Sequence, residues 1–175
     1  LERAMGVLAH GDVPDTEIRE PLDVGGELGL FREEQPVRLA GHIELGRTRV
    51  TAMIDAPYGA FPATSVIRLA SVPDLIMTIE NQTTFHSEAR RRCEENILLI
   101  YTAGMPSPAW RAMYAKLLGS VPKSVPVHHW GDVDEGGFRI AAVLAEAARA
   151  VDHELKPWKM APEDVPADRR TSAKL

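Results

Sequence analysis

Hydrophobic positions along the chain follow two different rhythms. Between residues 37 and 55 they alternate with polar ones in short bursts: Val37-Arg38-Leu39-Ala40, Ile43-Glu44-Leu45, then Val50-Thr51-Ala52-Met53-Ile54. A period of two belongs to strands with one buried face, and the Gly46-Arg47 break between the later bursts predicts a β-hairpin. Gly59 and Pro62 punctuate a turn, after which Ser65–Ser71 reads as a short helix. From residue 74 the rhythm changes to continuous apolar runs separated by helical patterns. Leu75-Ile76-Met77-Thr78-Ile79 reads as a buried strand ending in Glu80, followed by a helix with Phe85, Ala89 and Cys93 on one face. Asn96–Tyr101 is a second buried strand, and Ser107 before Pro108 is a helix N-cap with proline at the first helical position. Val125–His129 is a third strand, and Phe138–Val151 an alanine-rich helix.

Near-continuous apolar strands alternating with helices imply a parallel sheet covered on both faces. The fold class is therefore α/β, a parallel sheet flanked by helices, with a small β-rich N-terminal segment. The expected organisation is a connector over 1–36, a β-rich segment over 37–72 packed on the core, an α/β core over 73–154, and an extended or disordered tail over 155–175. Within the connector, Leu1–His10 finishes a helix and Asp12–Glu20 is a polar link. The start at Leu1, without an initiator Met, is read as a piece of a longer protein.

Composition narrows the function classes. The chain has 175 residues and a net charge of −5, so bulk electrostatics do not drive nucleic-acid binding; an acidic, metal-loaded nuclease site remains compatible with that charge. A single cysteine, Cys93, excludes an internal disulfide framework and a cysteine-rich zinc site, and fits a cytoplasmic setting. No apolar run reaches the roughly 20 residues of a membrane helix, so no membrane partner is expected.

The chemistry gathers where the third strand ends, in Trp130-Gly131-Asp132-Val133-Asp134-Glu135-Gly136-Gly137. Side chains at i and i+2 of an extended segment share a face, so Asp132 and Asp134 converge. Converging carboxylates suit a hard divalent cation, and in parallel α/β sheets working residues lie beyond the carboxyl ends of strands. Glu80 ends a neighbouring strand and brings a third acid towards the same edge. Isolated D-x-D sequences also occur as turns and helix caps, and Glu80 alone reads as an exposed strand end.

Ile79-Glu80-Asn81-Gln82-Thr83-Thr84-Phe85, Tyr101-Thr102-Ala103-Gly104-Met105-Pro106-Ser107 and Trp130–Ile140 together resemble the Toprim domain. Within that superfamily the chain is most similar to the C-terminal domain of the DUF2220 family, which includes the nuclease subunit of the Wadjet plasmid-defence system. A longer-range similarity reaches the topoisomerase VI A subunit. The resemblance implies that Glu80, Asp132 and Asp134 are the catalytic and metal-binding acids, holding Mg²⁺ or Mn²⁺, and that the chain is a metal-dependent DNA endonuclease domain. It further implies a homodimeric full-length protein working with an SMC-type condensin complex. A strand-passing enzyme needs a nucleophilic tyrosine on a separate domain; Tyr58, Tyr101 and Tyr114 lie in the β-region or the core.

Several residues have a supporting reading beside a plain one. Glu135 adjoins the aspartates and contacts the metal's outer sphere or pairs locally. Asn81 bonds the Glu80 carboxylate or caps the next helix, with capping favoured. His86 touches phosphate or metal-bound water, or is a surface histidine. Arg90, Arg91 and Arg92 track DNA phosphates or form a solvated helix face, and Arg139 clamps a phosphate or pairs with Glu135. His128 and His129 alternate across a strand, so at most one faces the metal edge; core hydrogen bonding is favoured for both. Lys156 and Lys159 are weaker DNA candidates. Gly136 and Gly137 allow close backbone approach or make a tight turn. The rival functions are a DNA-processing subunit like the topoisomerase VI A subunit, a non-catalytic DNA-docking or dimerisation module, and last a D-x-D sugar-nucleotide transferase, for which no base pocket is found.

Overall fold

The structure is a computed structural model that describes residues 35–164. The expected helix and connector before residue 35, and the tail beyond 164, lie outside the described residues. At the centre of the fold is β6 (Leu75–Ile79), four of whose five residues are buried. It pairs in parallel with β7 (Ile97–Tyr101) on one side and β8 (Val127–Trp130) on the other. Strands buried on both faces are built from runs such as LIMTI and ILLIY, because neither face tolerates a polar alternate.

The alternation sorts these runs into two cores. Ile76, Leu98, Ile100 and Val127 join the larger cluster with the helices α2 (Pro108–Gly119) and α3 (Glu135–Arg149). Met77, Ile79 and Leu99 point to the opposite face and pack with Phe85 and Ala89 of α1 (Gln82–Arg91). Phe85 and Ala89 sit one turn apart, so one stripe of α1 is buried while its remaining positions meet solvent. Ser107 caps α2 as expected, its hydroxyl accepting from the Trp110 N–H at 3.2 Å.

Two local expectations are corrected. Ser65–Ser71 is no helix: a 3₁₀ turn over Ala63–Ser65 leads into β5 (Val66–Leu69), which pairs with β2 (Glu44–Arg47). Val66 and Leu69 are buried and the β-branched pair Val66-Ile67 favours extended backbone, which decides the choice. The hairpin is present between β2 and β3 (Thr51–Met53), but β2 continues through Gly46 and Arg47 before turning. Within the stretch expected to be extended or disordered, Leu155–Pro157 is extended as the edge strand β9, parallel to β8. The β-rich segment also does more than pack on the core. β1 (Val37–Ala40) and β4 (Gly59–Phe61) join the main sheet, whose order is β4-β1-β7-β6-β8-β9, while β3-β2-β5 form a separate small sheet. Among the described residues no helix is long and apolar enough to cross a membrane.

Candidate functional site

The parallel register places the acids. Ile79 of β6 lies opposite Trp130 of β8, and the Glu80 N–H donates to the Trp130 carbonyl at 3.0 Å, extending the ladder one residue past the strand. The chain after β8 then turns back towards Glu80, so that the Asp132 N–H donates to Glu80 Oε2 at 3.1 Å. Glu80 and the D-x-D loop therefore share one carboxyl edge of the sheet.

Gly131 makes that approach possible. A Cβ on it would stand 2.9 Å from Glu80 Oε2, 2.6 Å from His129 Nε2 and 3.2 Å from the Met160 methyl. Gly137 is just as constrained, since its Cβ would stand 2.0 Å from the Asp132 carbonyl oxygen. Asp134 is the N-cap of α3, and its Oδ1 accepts from the Gly137 N–H at 2.8 Å. Capping starts α3 at Glu135, ahead of the Phe138 start expected from hydrophobic pattern alone.

Glu80 carries a raised proton affinity. Burial is the main cause; the Asp132 N–H bond opposes it, and the charges of Asp132 and Asp134 add to it. The aspartates thus impose a negative potential on Glu80, the condition a bound cation relieves. All the donors are carboxylate oxygens, which suits Mg²⁺ or Mn²⁺. As the side chains stand, no three His, Cys, Asp or Glu among the described residues are close enough to hold a metal ion together. Glu80 and Asp134 each give one oxygen to a backbone N–H, leaving Glu80 Oε1 and Asp134 Oδ2 available. The residues fit the ion in donor chemistry, but as placed they do not form a joint ligand set.

The supporting residues separate. Asn81 caps α1, accepting from the Thr84 N–H at 3.0 Å. Glu135 is exposed and pairs with Arg139 at 2.6 Å, so the two satisfy each other. Arg91 pairs with Glu88 and Arg92 with Glu95, both as i,i+3 surface pairs. His86 packs tilted against the Tyr58 ring, with centroids 5.0 Å apart. Arg90–Arg92 close the far end of α1, about 15 Å of helix from Glu80 at 1.5 Å per residue. His128 stacks on Trp158 at 5.4 Å, and Lys159 lies over the Trp130 ring at 4.8 Å.

His129 lies in the core, as its place on β8 predicts. The side chain is fully buried, with Nδ1 2.8 Å from Thr78 Oγ1, its neighbour in register. Nε2 is buried without a hydrogen-bond partner and faces the Gly131 bend beside Glu80. Burial lowers its pKa from 6.5 to about 4. The unfolded chain therefore binds a proton that the folded chain refuses, and the stabilisation is complete above pH 6.5 and lost as pH falls towards 4. The loss amounts to about 3 kcal/mol at 1.36 kcal/mol per pH unit. Urea melts of wild type and His129→Phe in EDTA, at pH 7 and pH 4.5, should show wild type losing more stability; parallel losses would refute the buried neutral imidazole. Referring wild type to the variant cancels the opposite contribution of Glu80. Tyr114, also fully buried, has its hydroxyl pushed well above the usual phenol range by burial, which removes it as a nucleophile.

Comparison with known proteins gives two findings. The family described as Wadjet protein JetD, C-terminal, matches residues 33–173. The Wadjet protein JetD of Bacillus cereus (strain Q1) is 31% identical over 163 residues, which cover 86% of this chain and 36% of that protein. The chain thus spans about a third of the length of this curated relative.

Proposed function

The chain belongs to the family of the C-terminal region of the Wadjet protein JetD, and from that premise we propose that it is a Toprim-type, metal-dependent nuclease domain cleaving DNA phosphodiesters in plasmid defence. The observation that carries the reading is the meeting of Glu80 with the Asp132 loop across two adjacent parallel strands. Asp132, Asp134 and Glu80 would hold Mg²⁺ or Mn²⁺. When bound, such an ion supplies charge neutralisation at a phosphodiester and a more acidic water.

The chain's own residues supply the rest. The Asp132 N–H fixes Glu80 Oε2, which leaves Oε1 to hold or release a proton at a carboxyl whose affinity for it is already raised. The Asp134 cap fixes the start of α3 against the loop, Gly137 lets α3 close on the Asp132 backbone, and Gly131 leaves room for the Glu80 and His129 side chains. Action as a homodimer in the cytoplasm, with an SMC-type condensin complex presenting the DNA, is proposed for the whole protein. The rival is a non-catalytic docking module, favoured by the backbone bonds that engage Glu80 and Asp134 and by the spacing of the acids.

Plasmid incubation with the intact protein separates them. Cutting is expected with Mg²⁺ or Mn²⁺, none in EDTA, and none by Asp132→Asn. Cutting that survives in EDTA or in the variant would overturn the nuclease assignment, and no cutting by wild type would favour the docking module.

A further inference from the structure

An open groove of about 740 Å³ runs along the solvent side of α1. Thr83, His86, Ser87, Arg90 and Arg91 line it from successive turns of the helix, and Tyr58, from the loop between β3 and β4, forms the opposite wall. Thr83, His86, Ser87 and Arg90 recur at i, i+3, i+4 and i+7, the stripe of α1 turned away from Phe85 and Ala89. The volume falls in the range of small-molecule sites, roughly 300–1,000 Å³, large enough for one nucleotide.

The walls select the ligand. Tyr58 stands edge-on to the buried Phe85 at 5.9 Å and tilted to His86 at 5.0 Å, and Phe85 is backed by Tyr101 at 5.5 Å. A ring braced against a buried ring loses little freedom when something stacks on it. The three arginines are unequal. Arg90 and Arg91 both border the groove, but Arg91 is paired with Glu88, as Arg92 is with Glu95, whereas Arg90 has no acidic partner among the described residues. Hydroxyls from Thr83 and Ser87 lie on the same side. An aromatic wall, one uncompensated guanidinium and two hydroxyls match a base with its phosphate. Duplex backbone would use the cation and leave the aromatic rings idle, because paired bases present no face to stack.

We propose that this groove binds one unpaired nucleotide of a DNA strand, its base against Tyr58 and His86 and its phosphate on Arg90. It rests on the reading that the substrate is DNA, but it requires no metal. The groove lies on the α1 side of the sheet, whereas Thr78 and His129 face α2 and α3. A strand held there would be anchored on the opposite side of the carboxyl edge from that pair.

The test is fluorescence anisotropy of the intact protein in EDTA with a labelled oligo-dT strand, competed by unlabelled strand, by duplex or by dTMP. Wild type should prefer the single strand to both competitors. Tyr58→Ala should weaken it about 5- to 150-fold, the range of one lost stacking contact, and Tyr58→Phe should hold within about 2-fold of wild type, since the ring face is kept. Arg90→Ala should weaken binding and lower the slope of log K against log salt by about 0.7, one phosphate contact on a single strand. Tyr58→Ala should leave that slope unchanged, and Arg92→Ala should change neither measure. Thermal melts show which variants are folded, and Arg90 is exposed, so its substitution leaves the fold intact. Equal binding by wild type and folded Arg90→Ala, a slope unaltered by Arg90→Ala, or preference for duplex or dTMP over the strand would each overturn the proposal. Failure of metal-dependent cutting with this binding pattern intact would refute the nuclease reading and leave the groove standing.

Discussion

Glu80→Gln should cost the intact protein about 10²-fold or more in metal-dependent cutting, the loss that follows removal of one preorganised electrostatic group, while its melting temperature holds or rises. The two effects share a cause. The wild-type carboxylate is partly buried and faces the charges of Asp132 and Asp134, so its ionised form is disfavoured in the fold. A carboxyl whose folded pKa is raised binds more protons folded than unfolded, so stability falls as pH rises above its ordinary value of 4.5. Glutamine keeps an oxygen for the Asp132 N–H and removes the charge. The gain of the variant over wild type should therefore be larger at pH 8 than at pH 5, in melts run with EDTA. Unchanged cutting would sink the catalytic role, and lower stability at pH 8 would show that the charge stabilises the fold. Functional sites commonly carry such a local cost.

Asp134 should divide its two duties between two substitutions. Asparagine caps helices about as well as aspartate, so Asp134→Asn should keep the Gly137 N–H bond and the melting temperature. Asp134→Ala should lose about 1 kcal/mol with the cap. Both should lose metal-dependent cutting by about 10-fold or more, at least the loss that altered outer-shell partners produce. If Asp134→Asn cuts normally and only Asp134→Ala is impaired, Asp134 is a cap and nothing else. Denaturant melts alongside plasmid cutting separate the cases.

The parallel core was legible in the sequence because its signals are local. Unbroken runs such as Leu75–Ile79 and Ile97–Tyr101 admit no polar face, and Ser107-Pro108 marks a helix start. The placement of Glu80 opposite the D-x-D loop followed from strand ends in a parallel sheet, but the Asp132 N–H bond depends on register and could not be read. Short β-branched stretches were harder. Val66–Leu69 is a strand because β2 offers it an edge, a fact of tertiary pairing that no window of residues carries. The same holds for Leu155–Pro157, which opens a proline-containing stretch that reads as extended or disordered and which pairs along β8. The inequality of Arg90, Arg91 and Arg92 was readable in principle, since Glu88 and Glu95 stand three positions from Arg91 and Arg92. Tyr58 gave no signal at all: it meets α1 only through the fold.

The central claim, that Glu80, Asp132 and Asp134 form one metal site, is tested most directly by titrating the intact protein with Mn²⁺ and following the free ion by electron paramagnetic resonance. Wild type should deplete the free signal. The double variant Asp132→Asn/Asp134→Asn, folded by its melt, should leave the free signal as large as in buffer. Undiminished Mn²⁺ binding by that variant would place the metal elsewhere and contradict the account.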